Sequence, residues 1–257
     1  MNAAGNWVAL KTIAGREVHR ILRIWGQTLV PPAITMTLYF VIFGKMIGGR
    51  IGAMDGFPYI DFIVPGLIMM SVIQNSYGNI VSSFFGSKFQ RYVEEMLVAP
   101  TPNWVILTGY VAGAVLRGLM VGAIVLAVAM CFTSVRLHHP LITLATLLLT
   151  AVVFAFAGFI NAMYARKFDD IAIVPTFVLT PLTYLGGVFY SVGLLPPFWE
   201  YVSHFNPILY MVSAFRYGLL GVSDVAIGTA MSLMLVFAIL LGAFCMHLLR
   251  RGTGLRS

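Results

Sequence analysis

The chain has 257 residues, of which 60% are hydrophobic and 10% charged, with a formal charge of +7. A soluble domain has roughly a quarter of its residues charged, and a mean hydropathy of +0.91 leaves too few polar side chains to coat one. The apolar runs are continuous and lack the alternation of barrel strands, so the fold class is an all-α integral membrane protein, with length for about six spans of roughly 20 residues.

Residues 7–25 place Leu10, Ala14, Val18, Ile21, Leu22 and Trp25 on one helical face and Lys11, Arg16, Arg20 and Arg23 on the others. A basic amphipathic helix with aromatic ends predicts an interfacial helix lying in the headgroup layer. A cleavable signal peptide is not expected, because the charged region is too long and no small-residue cleavage site follows the next apolar run. The first span is expected over 28–47, opened by Pro31 and Pro32. A glycine-rich loop with Lys45, Arg50 and Asp55 follows. The second span is expected over 59–85, broken near its start by Pro65-Gly66.

Residues 84–102 are polar and stand between two apolar runs. Ser87 with Gln90 fits a capping box. Phe89, Tyr92, Val93, Met96 and Leu97 recur at the helical period. Lys88, Gln90, Arg91, Glu94 and Glu95 fill the other face, where Arg91 can pair with Glu94 or Glu95. Pro100 and Pro102 end the element. The pattern predicts one amphipathic helix over 87–98, either a connector on the membrane surface or a docking helix for a soluble partner.

The third span is expected over 104–132 and the fourth over 141–164, joined by a short loop with Arg136, His138, His139 and Pro140. A polar loop with Arg166, Lys167, Asp169 and Asp170 leads to a fifth span over 171–190, kinked at Pro175 and Pro181. The last span is expected over 225–249. The adjacent histidines read as a loop turn, because no metal-ligand spacing exists. Cys131 and Cys245 fall in apolar runs and read as buried small hydrophobes without a disulfide.

Basic residues set an orientation. Lys11, Arg16, Arg20, Arg23, Lys88, Arg91, Arg166, Lys167, Arg250, Arg251 and Arg256 fall on one side; Lys45, Arg50, Arg136 and Arg216 fall on the other. The positive-inside rule puts the first group, both termini and the 87–98 helix in the cytoplasm. Arg117 is left over within the third apolar run. That run is longer than a bilayer requires, so Arg117 is read as snorkelling to the inner interface.

Residues 191–221 are too interrupted for a span. Pro196-Pro197 and Pro207 each precede a short helical stretch, over 198–204 and 208–220, and aromatics crowd both. Neither stretch crosses about 30 Å of hydrocarbon. A re-entrant pair dipping in from the outer face is expected, because backbone at that depth needs protein or water around it.

At this point the chain resembles the permease subunits of ATP-binding-cassette exporters of the ABC-2 type. The likeness covers nearly the whole chain, as one transmembrane domain over 1–257. Its most specific part follows Gly186-Gly187: Leu195-Pro196, then Asn206-Pro207-Ile208-Leu209-Tyr210, then Arg216. The resemblance implies a permease moving a drug-like amphiphile, a lipid or a glycan across a bacterial inner membrane. Two permeases, as a homodimer, would assemble with two ATPase subunits that bind ATP and magnesium. The helix over 87–98 would be the coupling helix, with Phe89, Tyr92, Val93, Met96 and Leu97 packing and Arg91, Glu94 and Glu95 setting register. Residues 7–25 would be the connecting helix, and the loop over 166–170 a smaller contact. The dimer interface would involve spans one, two and five. Thr35, Tyr39, Gln74, Asn75, Tyr77, Asn79, Thr176, Thr180, Thr183 and Tyr184 would then be candidates to line the path. Pro196, Asn206, Pro207, Tyr210 and Arg216 would form the outer segment.

The chain has no G-x-x-x-x-G-K-[ST] motif, no cofactor of its own is expected, and no nucleophile–base or metal set suggests an enzyme. A proton-coupled secondary carrier is the alternative. Its relays would be Asp61 and His247, at opposite ends of the spans and neither central. No repeated filter pattern suggests a channel.

Overall fold

The computed structural model describes residues 3–99 and 101–254, without the side chains of Lys45 and Leu97. Pro100 and Arg256 therefore lie outside the described residues. Among the described residues the chain is all-α apart from one small hairpin. Helix α1 (Ala3–Arg23) leads into α2 (Trp25–Tyr39), which continues through π-helical turns over Phe40–Ile47 into α3 (Gly48–Ile51). The two-residue strands β1 (Ala53–Met54) and β2 (Phe57–Pro58) pair antiparallel. Then come α4 (Tyr59–Phe89), α5 (Tyr92–Val98), α6 (Asn103–Met130) and α7 (Pro140–Tyr164). The run Asp170–Leu185 comprises α8 (Asp170–Val174), π-helical turns over Pro175–Leu179, and α9 (Thr180–Leu185). Two short helices, α10 (Pro197–His204) and α11 (Pro207–Leu220), precede the last long one, α12 (Ile227–Arg251).

Among the described residues, four helical stretches are long and apolar enough to cross a membrane: Trp25–Ile51, α6, α7 and α12. The centre of the bundle is α4, which has 31 residues. It carries polar side chains from Asp61 to Ser83 because most of it is shielded by α6, α7 and α11 rather than by lipid. Toward its start, Phe62, Leu67 and Ile73 share one apolar cluster with Met211, Phe215 and Met234. Toward its end, Ile80, Phe84 and Phe85 share another with Tyr110, Phe159 and Leu248.

Several elements differ from expectation. Pro31 and Pro32 lie inside α2, not at its start. Pro65-Gly66 does not break α4. Glycine at 66 instead lets the Val188 backbone approach where a Cβ would collide with its carbonyl. The fifth apolar run stops at Leu185, five residues early. Asp55 and Gly56, both with positive φ, form a hairpin turn where a glycine-rich loop was expected; an Asp-Gly pair favours that geometry. Cys245 is buried as expected, but Cys131 is exposed at the end of α6.

A backbone contact also explains Gly158 of α7. A Cβ there would sit 2.7 Å from the Tyr77 carbonyl oxygen and 2.6 Å from Ile80 Cγ2, whereas Gly78 of α4 faces open space. Gly158→Ala is expected to destabilise the bundle by about 1–3 kcal/mol through overpacking. Gly78→Ala is expected to be neutral or stabilising by up to about 1 kcal/mol through helix propensity. Thermal unfolding of the two variants in the same detergent checks the contrast.

Candidate functional site

The stretch 87–98 is not one helix. Ser87 belongs to the last turn of α4, and its Oγ accepts a hydrogen bond from the Tyr110 hydroxyl (2.9 Å). Gln90 ends α4, so the expected capping box is not formed. Arg91 then takes a left-handed conformation (φ +62°), which is uncommon for a residue with a Cβ, and redirects the chain into the seven-residue α5. None of the described ion pairs joins Arg91 to Glu94 or Glu95. Val93 is buried in the cluster with Phe85 and Val105, and Met96 packs partly against it. Phe89, Tyr92, Glu94, Glu95 and Val98 are exposed. The side chain of Leu97 is outside the description.

The loop after α7 comes to this same end. Lys88 Nζ donates to the carbonyls of Met163 (2.8 Å) and Ala165 (2.7 Å), a cation closing a helix C-terminus. Phe168 sets its ring 5.0 Å from both Phe85 and Phe89. The Asp170 carboxylate accepts the backbone N–H groups of Arg166 and Lys167.

Helix α1 lies against α4 and α6. Ile13 meets Gly109 and Glu17 meets Gly113, so the contacts step in the same direction along α1 and α6. The buried face is Ile13, Glu17 and Ile21. The expected apolar face holds only in part, since Leu22 and Trp25 are exposed. Glu17 is 1% exposed. Its carboxylate accepts from Ser83 Oγ (2.7 Å) and from Arg20 Nη2 (3.0 Å). Arg20 Nη2 also donates to Asn79 Oδ1 (2.8 Å), and Arg16 Nη2 donates to the Tyr110 hydroxyl (2.6 Å). The sequence reading passed over Glu17. It is the only acidic residue in residues 1–25 and stands three before Arg20, which is the signal that could have found it.

At the opposite end of α4, Arg216 is buried. Its guanidinium lies 3.9 Å from the ring centre of Phe62. It donates to Asp224 Oδ2 (2.7 Å) and to the Gly187 carbonyl (2.6 Å). Asp224 was also missed, although no other acidic residue follows Glu200. Asn206 caps α11 by accepting from Ile208 N (3.0 Å), with Pro207 at the first helical position. Its Nδ2 donates to the Leu182 carbonyl (2.6 Å). Tyr210 donates to the His204 carbonyl and Tyr59 to that of Phe189, while Pro196 immediately precedes α10. The side chain of Asn206 thus satisfies a carbonyl at the end of the Asp170–Leu185 run, which a helix C-terminus leaves free, and Arg216 takes that of Gly187 just beyond the run. The loop histidines join in, both donating N–H groups to the Gly218 carbonyl.

The path candidates divide. Thr35, Thr176 and Tyr184 are exposed, and Tyr39, Gln74, Asn75 and Thr180 are half-buried. Tyr77, Asn79 and Thr183 are buried within the chain and do not face outward. Tyr39 and Tyr184 come together through Phe189, each 5.8 Å from its ring. Asp61 accepts from Thr133 Oγ1 in a cleft of about 300 Å³ with Arg136 and His138. His247 is exposed near the other end of the bundle, on α12. Arg117 is half-buried on α6 near Arg20.

A bundle with several helices long and apolar enough to cross a membrane, a short helix between two of its longest ones and a pair of short helices at the far end is that of a polytopic membrane subunit. The sequence profile described as "ABC-2 type transporter" matches residues 8–220, from α1 to the last residue of α11, and the chain belongs to that family. It is 60% identical over 251 residues to the inner membrane transport permease YadH of Escherichia coli (strain K12), covering 98% of each chain. It is 25% identical over 249 residues to nodulation protein J of Sinorhizobium fredii (strain NBRC 101917 / NGR234), covering 96% of this chain and 93% of that one.

Breaking a buried ion pair from one side leaves an uncompensated charge. Asp224→Ala is therefore expected to cost about 3 kcal/mol and to lower the unfolding temperature in detergent. Arg216→Met combined with Asp224→Ala is expected to be less damaging than Asp224→Ala alone. Equal or additive losses in the double variant count against the pairing.

Proposed function

We propose that this chain is the membrane-spanning subunit of an ATP-driven exporter in a bacterial inner membrane, powered by a separate ATPase that binds the ATP and magnesium. The single observation that carries this reading is α5. It stands between α4 and α6 and is anchored inward by Val93 and Met96. Outward it presents Tyr92 beside Glu94 and Glu95, next to the exposed Phe89 at the end of α4. An anchored base with an exposed aromatic and acidic face suits a partner that must push on the bundle. Arg91 would set the angle of that face.

On this reading the domain spans the whole chain with six crossings. Four are the apolar stretches already described, and the fifth is α4, long enough at roughly 46 Å for its 31 residues. The Asp170–Leu185 run is the sixth, completed by the residues after it. An even count puts both termini on one side, and the basic residues of α1, of the loop after α7 and of the end of α12 make that side cytoplasmic. Helices α10 and α11 form the re-entrant pair. Two copies of the chain would join with two ATPases. The exposed apolar faces of α2, at Ile34 and Leu38, and of the Asp170–Leu185 run, at Ile173 and Phe177, would meet across the dimer. Thr35, Tyr39, Gln74, Asn75, Thr176, Thr180 and Tyr184 would line a path for an amphiphile, lipid or glycan.

The test is purification from the native host in nanodiscs, with the stoichiometry of a co-purifying ATPase as the readout. Phe89→Asp and Tyr92→Asp are expected to lose the ATPase while the chain still inserts and elutes as before, and Met96→Asp to weaken both. A partner retained at full stoichiometry by Phe89→Asp and Tyr92→Asp, or a chain that purifies alone and binds no ATPase added back, overturns the reading.

A further inference from the structure

The cavity between α1 and the last turns of α4 enters that account only through Tyr92, which borders it. It measures about 330 Å³, with Arg16, Arg20 and Arg23 facing Ser82, Ser83 and Ser87. That volume is at the lower end of small-ligand pockets. Its floor is open at Gly86, where an added Cβ would touch nothing within 4 Å.

The charges around it do not balance. Among the described residues Glu17 is the one carboxylate lining the cavity, and it is occupied by Ser83 and Arg20, with Arg16 Nη2 3.7 Å away. Arg23 and Arg117 take part in none of the described ion pairs. Arg20 Nε is a buried donor with no hydrogen-bond partner among the described residues, and so are Asn79 Nδ2 and Arg117 Nε, which lie near Arg20 but do not line the cavity. Asn79 itself is fully buried. The lining sets three arginines against that single carboxylate, so the surplus charge is positive. The complementary ligand is an anion with several acceptor oxygens. Guanidinium groups match a phosphate in that respect, through forked, charge-assisted hydrogen bonds.

The surroundings favour a phosphate that carries an apolar tail. Leu22 and Trp25, beside Arg23, are 52% and 60% exposed, and Trp is a side chain of the membrane interface. Beyond them α2 presents a largely exposed apolar surface. We infer that this cavity binds the phosphate group of an anionic phospholipid, whose chains start against Leu22 and Trp25.

The inference is tested without ATPase or cargo, so its failure and that of the coupling role are distinguishable. The chain is reconstituted in nanodiscs of phosphatidylcholine alone or mixed with phosphatidylglycerol, and retained lipids are counted by native mass spectrometry. One phosphatidylglycerol per chain is expected to survive activation that strips phosphatidylcholine. Arg23 is exposed and makes none of the described hydrogen bonds, so Arg23→Gln spares the fold. It is expected to weaken retention about fivefold, the effect of one basic residue at an anionic membrane surface. Adding Arg16→Gln is expected to weaken it further, and Arg250→Gln on α12 to leave it unchanged. Equal retention of the two lipids, or retention insensitive to Arg16→Gln and Arg23→Gln, overturns the site. Displacement of the lipid by inorganic phosphate at modest concentration assigns the cavity to a free anion and overturns the lipid.

Discussion

A charge within a membrane bundle must find its counter-charge and hydrogen bonds inside the chain, because hydrocarbon offers neither. This chain meets that requirement at both ends of α4. At one end Glu17 of α1 is held by Ser83 and Arg20, with Asn79 bonded to the same guanidinium. At the other, Arg216 is held by Asp224 and the Gly187 carbonyl and lies over Phe62. Both arrangements join elements far apart in sequence. Both also require α4 to run uninterrupted between them, which it does through Pro65.

The same helix decides which parts of the bundle are fixed. Gly158 of α7 lets a facing backbone segment come close at Tyr77, and Gly66 of α4 does the same at Val188. Such approaches give dense packing and close van der Waals contact, the main source of helix association in lipid. By contrast, the Asp170–Leu185 run buries little beyond Leu179 and Thr183. The wide turns after Pro175 leave its middle loosely wound. Its firm attachment is at its C-terminal end, where Asn206 takes one of its carbonyls and, just beyond it, Arg216 takes that of Gly187 and Tyr59 that of Phe189. On the proposed reading, movement between copies would be expressed at the poorly buried α2 and Asp170–Leu185 faces, with α4 as the rigid member between α5 and the α10–α11 end.

What the sequence made legible follows the strength of local signals. The boundaries of α6, α7 and α12 fall within about two residues of the expected ones, because long apolar runs end where polar residues begin. Pro197 and Pro207 start α10 and α11 because proline suits the first turn of a helix. The failures share another cause. Pro65-Gly66 is locally a helix breaker, yet tertiary packing keeps α4 continuous. Ser87 and Gln90 have the spacing of a capping box, but a helix already in progress uses Ser87 as an acceptor for Tyr110. Asn79 and Thr183 look like path residues by polarity alone. Their burial depends on which helices surround them, and helical period does not encode that. Glu17 and Asp224 needed a question about charge partners rather than about hydrophobic faces.

The two buried charge sites also differ from each other, and the difference separates their roles. At the Arg216 end, two of the three guanidinium nitrogens are satisfied, the side chain is 1% exposed and its partner Asp224 14%. Nothing there is left for a ligand to add except at the buried Nε. At the Glu17 end, one carboxylate serves an arginine-rich helix face that borders a cavity, and the surplus is positive. A closed pair in a membrane protein holds geometry. An open one with a surplus of arginines has room for something the chain does not supply. The first accounts for how α11 is fixed to the bundle, and the second gives α1, which joins α4 and α6 beside the exposed α5, a reason to respond to its membrane.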